Sequence, residues 1–129
     1  MPLQSLDLSF NGELSERGMT SFLNVGSLTS LDLTSTGVAR LDFLNGMSEL
    51  RKLSLGQTKI GDQDTSFLVG LANLYSLELF GTRITDSAID AIADIESLQR
   101  LDIRNTKVSR EAAQRLESSV DVLFHDHDE

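Results

Sequence analysis

The sequence contains no cysteine and no tryptophan, and only one proline and one tyrosine. Without cysteine there is no disulfide framework, no thiolate metal site and no thiol nucleophile. Aromatic residues make up 5% of the chain, so any core has to be aliphatic. The two histidines both stand near the end, at His125 and His127, which leaves no imidazole for a Ser–His–acid set elsewhere. The nine glycines are scattered and form neither a phosphate-cradling loop nor a dinucleotide fingerprint. Basic residues are scarce: 11 Lys and Arg against 20 Asp and Glu, a net charge of −9 that argues against nucleic acid as a partner. No stretch approaches the roughly eighteen apolar residues of a membrane span. Met1-Pro2 leads directly into an alternating stretch rather than a basic region and an apolar run, so no signal peptide is recognisable. These absences predict a cytoplasmic, non-catalytic protein with no cofactor, no bound metal and no contact with membranes.

What is abundant is leucine, at 22 of 129 positions, and it is periodic. The segments Leu3–Leu8, Leu28–Leu33, Leu50–Leu55, Leu74–Leu79 and Leu98–Ile103 start 25, 22, 24 and 24 residues apart. At offsets 0, +3 and +5 from each start stand fifteen aliphatic residues, fourteen Leu and one Ile. With roughly half of residues apolar by chance, such agreement arises less than about once in ten thousand alignments. Offset +8 holds Asn11, Thr36, Thr58, Thr82 and Thr106. Two places further come Val38, Ile60, Ile84 and Val108, while Leu14 in the first unit arrives one place late.

This pattern, L-x-x-L-x-L-x-x-(N/T)-x-(I/V/L), resembles the leucine-rich-repeat family, over residues 3 to about 119. The family's usual Asn survives only at Asn11; Thr at the other four positions is similar to bacterial repeats of about 24 residues. The resemblance implies an α/β, right-handed solenoid of five repeats. A parallel sheet would line its concave face, and helices or 3₁₀ turns its convex face. Residues 1–124 are expected to form this domain, and residues 125–129 an acidic, histidine-bearing polar tail.

The physics of one unit agrees. Leu-x-Leu has a period of two, so both leucines point to one face of a short strand, which can bury that face only by stacking on copies of itself. The return segment must cover the leucines from the other side. In unit four Ala88, Ile89, Ile92 and Ile95 have helical spacing, with Thr85 or Asp86 as N-cap. In unit five Ser109 is the expected cap, and Ala112, Ala113 and Leu116 the inward face. Unit three offers Phe67, Leu68 and Leu71, and unit one Leu14, Met19, Phe22 and Leu23. Unit two is the shortest and contains Asp42-Phe43-Leu44-Asn45-Gly46, which predicts a 3₁₀ turn rather than a full helix. Val120–Phe124 alternates like a sixth strand able to cap the stack. The Asn/Thr ladder (Asn11, Thr36, Thr58, Thr82, Thr106) is read as structural, its side chains bonding turn backbone across neighbouring units.

Outward strand positions are not needed by the core, so they form the expected partner-binding face. It comprises Asp7, Asp32, Thr34, Lys52, Ser54, Ser76, Glu78, Phe80, Arg100, Asp102 and Arg104. The last two units carry the interface-prone types Phe80, Arg100 and Arg104; the alternative for Phe80 is a ring lying over Gly56 and Arg104 as a surface pair. Neighbouring carboxylates, Asp7 with Asp32 and Glu78 with Asp102, are read as solvated rather than as an acid–base pair or a Ca²⁺ site, and the His125-x-His127 pair as tail rather than metal ligand. At offset +9 lies a rim column of bases, Lys59, Arg83 and Lys107; it can grip a carboxylate or phosphate, or pair with Asp62 and Asp86 three residues on. The expected function is recognition of another protein through the concave face. The alternatives are an inhibitor or immunity-type protein covering an enzyme's active site, and the recognition segment of a larger effector or receptor. The uncovered first strand also allows a homodimer by edge pairing.

Overall fold

The computed structural model describes residues 3–15, 17 and 27–124. Six three-residue strands run parallel in one sheet, in chain order: β1 (Ser5–Asp7), β2 (Ser30–Asp32), β3 (Lys52–Ser54), β4 (Ser76–Glu78), β5 (Arg100–Asp102) and β6 (Asp121–Leu123). Sequential order with parallel pairing requires the chain to return after each strand to the end from which that strand started. The register has no slip. Leu6, Leu31, Leu53, Leu77, Leu101 and Val122 are direct partners across the whole sheet. This is the leucine-rich-repeat solenoid, with a sixth strand closing its high-numbered end.

The described returns differ in form from unit to unit. Unit two makes a 3₁₀ turn at Asp42–Leu44, as its short sequence predicts. Unit three makes a 3₁₀ turn at Asp62–Asp64 and then α1 (Ser66–Val69). Leu68 and Leu71 are buried there, whereas Phe67 is only half-buried. Unit four forms α2 (Ser87–Ala93), which buries Ala88, Ile89 and Ile92, with Ile95 buried just beyond it. Unit five forms α3 (Arg110–Gln114); Ser109 caps it by accepting a 3.2 Å bond from the Ala112 N–H. Both residues expected to cap α2 stand at its start, and Thr85 Oγ1 accepts the Ser87 N–H at 3.3 Å. Asp86 occupies the N-cap position but makes no capping bond, because its carboxylate is taken by the next unit.

The core is a set of aliphatic columns between the sheet and these returns. The three leading positions and the Val/Ile position of units two to five are all buried, Leu28, Leu31, Leu33 and Val38 for example. Each fully buried leucine contributes about 2 kcal/mol of transfer free energy. Unit one is less covered: Leu6, Leu8 and Leu14 are half-buried and Leu3 is 48% exposed. Met19, Phe22, Leu23 and the tail 125–129 lie outside the described residues.

A feature absent from the leucine pattern recurs at offset +7. Phe10, Ser35, Gln57, Gly81 and Asn105 all have positive φ, between 58° and 68°. The chain swings out of the sheet there through a left-handed residue. Gly81 and Asn105 suit that region; for a bulky residue it costs roughly 1 kcal/mol. Phe10 pays this cost with its side chain 77% exposed. Phe10→Asn is therefore expected to stabilise the protein by about 0.5–1 kcal/mol, measured as a raised urea midpoint. A lowered midpoint would mean that the ring holds the first unit together.

Candidate functional site

The strands present their outward side chains on a shallow groove of about 230 Å³, lined among others by Lys52, Ser76, Glu78, Arg100 and Asp102. Pairing sets these side chains in rows. Ser5, Ser30, Lys52, Ser76, Arg100 and Asp121 form one; Asp7, Asp32, Ser54, Glu78, Asp102 and Leu123 form the next. Neighbours within a row are about 4.8 Å apart, the spacing of strands.

Not every residue expected on this face is available. Thr34, Ser54 and Asp102 are buried, which corrects their reading as free contact residues. The reason is a local device at the strand ends. An aspartate at offset +4 accepts bonds from the residue two places on. The Asp7 carboxylate takes the Ser9 N–H at 2.9 Å and hydroxyl at 2.6 Å. Asp32 takes the Thr34 N–H at 3.0 Å and hydroxyl at 2.6 Å. Asp102 takes the Arg104 N–H at 3.2 Å and its guanidinium at 2.9 and 2.6 Å. The Thr34 oxygen also sits 2.6 Å from the Ser54 oxygen. Because a carboxylate only accepts, Thr34 spends its proton on Asp32, and Ser54 must donate to Thr34. A hydroxyl relay, Ser54 to Thr34 to Asp32, thus lies in the floor of the groove. The hydroxyl of Ser9, and then its N–H, hold the Asp7 carboxyl below its ordinary range. Arg104 is held above its ordinary value by the hydrogen bonds and charge of Asp102. The repeated Asp-x-Ser/Thr at Asp7 and Asp32 was a readable signal for these turns.

Phe80 lies flat over Gly56: a Cβ at Gly56 would come within 2.2 Å of the ring. The ring is half-buried, so this aromatic is partly a structural lid over a glycine rather than a free anchor. What stays uncommitted is Lys52, Glu78 and Arg100, whose exposed side chains bond no described residue. Ser76 is half-buried beside them.

The Asn/Thr ladder also differs from expectation. Its side chains bond within their own unit, not across units. Asn11 Nδ2 donates to Leu8 O at 2.8 Å, Thr36 Oγ1 to Leu33 O at 2.8 Å, and Thr58 Oγ1 to Leu55 O at 2.7 Å. Thr82 and Thr106 repeat this on Leu79 O and Ile103 O, at 2.7 and 2.8 Å. A three-residue return is what a short side chain can span, and it closes the left-handed turn.

The acids beyond the rim do bond across units, as Thr34 and Ser54 do in the groove. The Asp62 carboxylate accepts the Thr85 N–H at 2.7 Å and hydroxyl at 2.5 Å. The Asp86 carboxylate accepts the Ser109 N–H at 2.6 Å and hydroxyl at 2.8 Å, bonds that hold its carboxyl below the ordinary range. Asp62 and Asp86 are therefore not the partners of the rim bases. Lys59, Arg83 and Lys107 are exposed and make no side-chain bond or ion pair with a described residue.

Among the described residues no group of three or more His, Cys, Asp or Glu is placed to hold a metal, and no helix is long and apolar enough to cross a membrane. The outer edge of β1 has no strand partner among the described residues.

The sequence model of the leucine-rich repeat matches residues 1–23. No curated protein matches the chain by sequence. Solved structures match its fold. An internalin of Listeria monocytogenes aligns with a TM-score of 0.66 at 18% identity, covering 96% of this chain and 43% of the other. Internalin C2 of the same organism gives 0.69 at 21%, over 95% and 71%. A leucine-rich-repeat protein of Leptospira interrogans gives 0.66 at 18%, over 93% and 36%. The chain thus spans less than half the length of the first and third of these proteins.

Proposed function

We propose that this leucine-rich-repeat solenoid is a non-catalytic protein-interaction module that engages another protein through the sheet face. One observation carries the reading. Lys52, Glu78 and Arg100 project from adjacent strands of a register-locked sheet, and their side chains make no hydrogen bond or ion pair with a described residue. Charged and polar side chains held in place by a ladder, yet free of internal hydrogen bonds, are pre-organised for a second surface at little entropic cost. The face is mixed in sign, so the net charge of −9 does not dictate a basic partner. Asp102 and Arg104 satisfy each other and give the high-numbered end of the groove a fixed shape rather than an open valence.

A photo-cross-linking residue at Ser76 tests this. A defined protein partner is expected to be captured from Ser76 and not from Glu96 on the convex side. The K52S/E78S/R100S variant should bind that partner at least about tenfold more weakly, three lost contacts of about 0.5 kcal/mol each. Equal affinity of the variant, or capture from Glu96 alone, refutes the assignment of this face.

A further inference from the structure

We propose that the rim column Lys59, Arg83 and Lys107 is a second binding site, for a short acidic polypeptide segment. The three residues hold the same offset in consecutive units, and their backbone fixes the alignment. The Lys59, Arg83 and Lys107 N–H groups each donate 3.1 Å bonds to the unit before, at Val38 O, Ile60 O and Ile84 O. This second ladder stacks the three side chains about 4.8 Å apart, so the cations mark a line roughly 10 Å long.

The nearest acids in sequence are already spent. Asp62 and Asp86 turn both carboxylate oxygens toward Thr85 and Ser109 of the following unit, and no described carboxylate forms an ion pair with the column. Between Arg83 and Lys107 lies an open depression also lined by Asn105, whose amide bonds no described residue. Two cations and an amide thus converge on one concavity, with a third cation one unit below.

The charge of the whole chain selects the class of ligand. A body of net charge −9 is repelled by a nucleic acid duplex or an anionic bilayer, which present wide fields of phosphate. A short acidic peptide can meet the positive line alone. Carboxylates on alternate residues of an extended segment lie about 7 Å apart, within reach of neighbouring flexible Lys and Arg side chains. The site stands beside the sheet face and not in it, so it is independent of the reading above and survives its failure.

The test uses a fluorescein-labelled octapeptide of alternating glutamate and serine, followed by fluorescence polarisation at about 0.01 M and about 1 M salt. Binding is expected at low salt and not at high salt. K59Q/R83Q/K107Q should bind at least about tenfold more weakly. R40Q/R51Q/R115Q, which removes the same charge elsewhere, should lose less than about threefold. All six residues are exposed, so unchanged circular-dichroism melts will show that the variants are folded. The proposal is overturned if the wild type fails to bind at low salt. It is equally overturned if the two triple variants behave alike, or if K52Q/R100Q matches the loss, which puts the peptide on the sheet face. Tighter binding to anionic vesicles or to duplex DNA than to the peptide overturns the choice of polypeptide.

Discussion

Leu53→Ala is expected to lower the unfolding free energy by about 3 kcal/mol. Leu53 is 1% exposed and lies in register between Leu31 and Leu77. The cavity left by truncation cannot collapse easily, because both neighbouring leucines are fixed by their own strand ladders. The transfer loss and the cavity term therefore add. The same change at Leu3, 48% exposed, is expected to cost under about 0.5 kcal/mol. Urea unfolding of both variants gives the comparison. A loss below about 1 kcal/mol at Leu53 would mean that the leucine rungs do not carry the fold.

Thr58→Val is expected to cost about 2 kcal/mol. The substitution keeps the shape and removes one hydroxyl. Thr58 is buried, and its Oγ1 supplies a 2.7 Å bond to the Leu55 carbonyl. With valine there, that oxygen keeps its desolvation and loses its donor. Thr58→Ser restores the donor and should recover about half of the loss, leaving the price of a missing methyl group. If valine proves harmless, water reaches the carbonyl and the hydroxyl ladder is not what closes the turn.

The architecture was legible because it is written in side chains of one kind at one spacing. Leu-x-Leu located the central residue of each of the first five strands, and the alternation at Val120–Phe124 located the sixth. The return segments were legible in proportion to their apolar content. Ala88, Ile89, Ile92 and Ile95 mark α2 unambiguously, whereas Phe67 in unit three signals burial that only its neighbours Leu68 and Leu71 achieve. The partnerships of polar residues were not legible. Thr36 and Thr58 bond three residues back rather than sideways, and Asp86 leaves its own helix for Ser109. Which acceptor a short polar side chain takes depends on ångström-scale geometry that hydropathy does not encode. Thr34 and Ser54 show the same limit. Strand alternation places them outward, yet their mutual hydrogen bond draws them below the surface. The left-handed position was hidden because Phe10, Ser35 and Gln57 occupy it as well as Gly81 and Asn105.

The carboxylate bonds from Asp62 to Thr85 and from Asp86 to Ser109 join units three, four and five. At the same offset the first two units carry Ser15 and Arg40, and Arg40 leans on Asp42 of its own unit at 3.7 Å. The joint between β2 and β3 is fastened differently, by Ser54 to Thr34 and by Ser35 to Gln57, both at 2.6 Å. The fastening thus moves along the stack, from hydroxyls under the sheet face between the second and third units to carboxylates on the rim between the later ones, so covering the face would enclose the first kind and leave the second in the open.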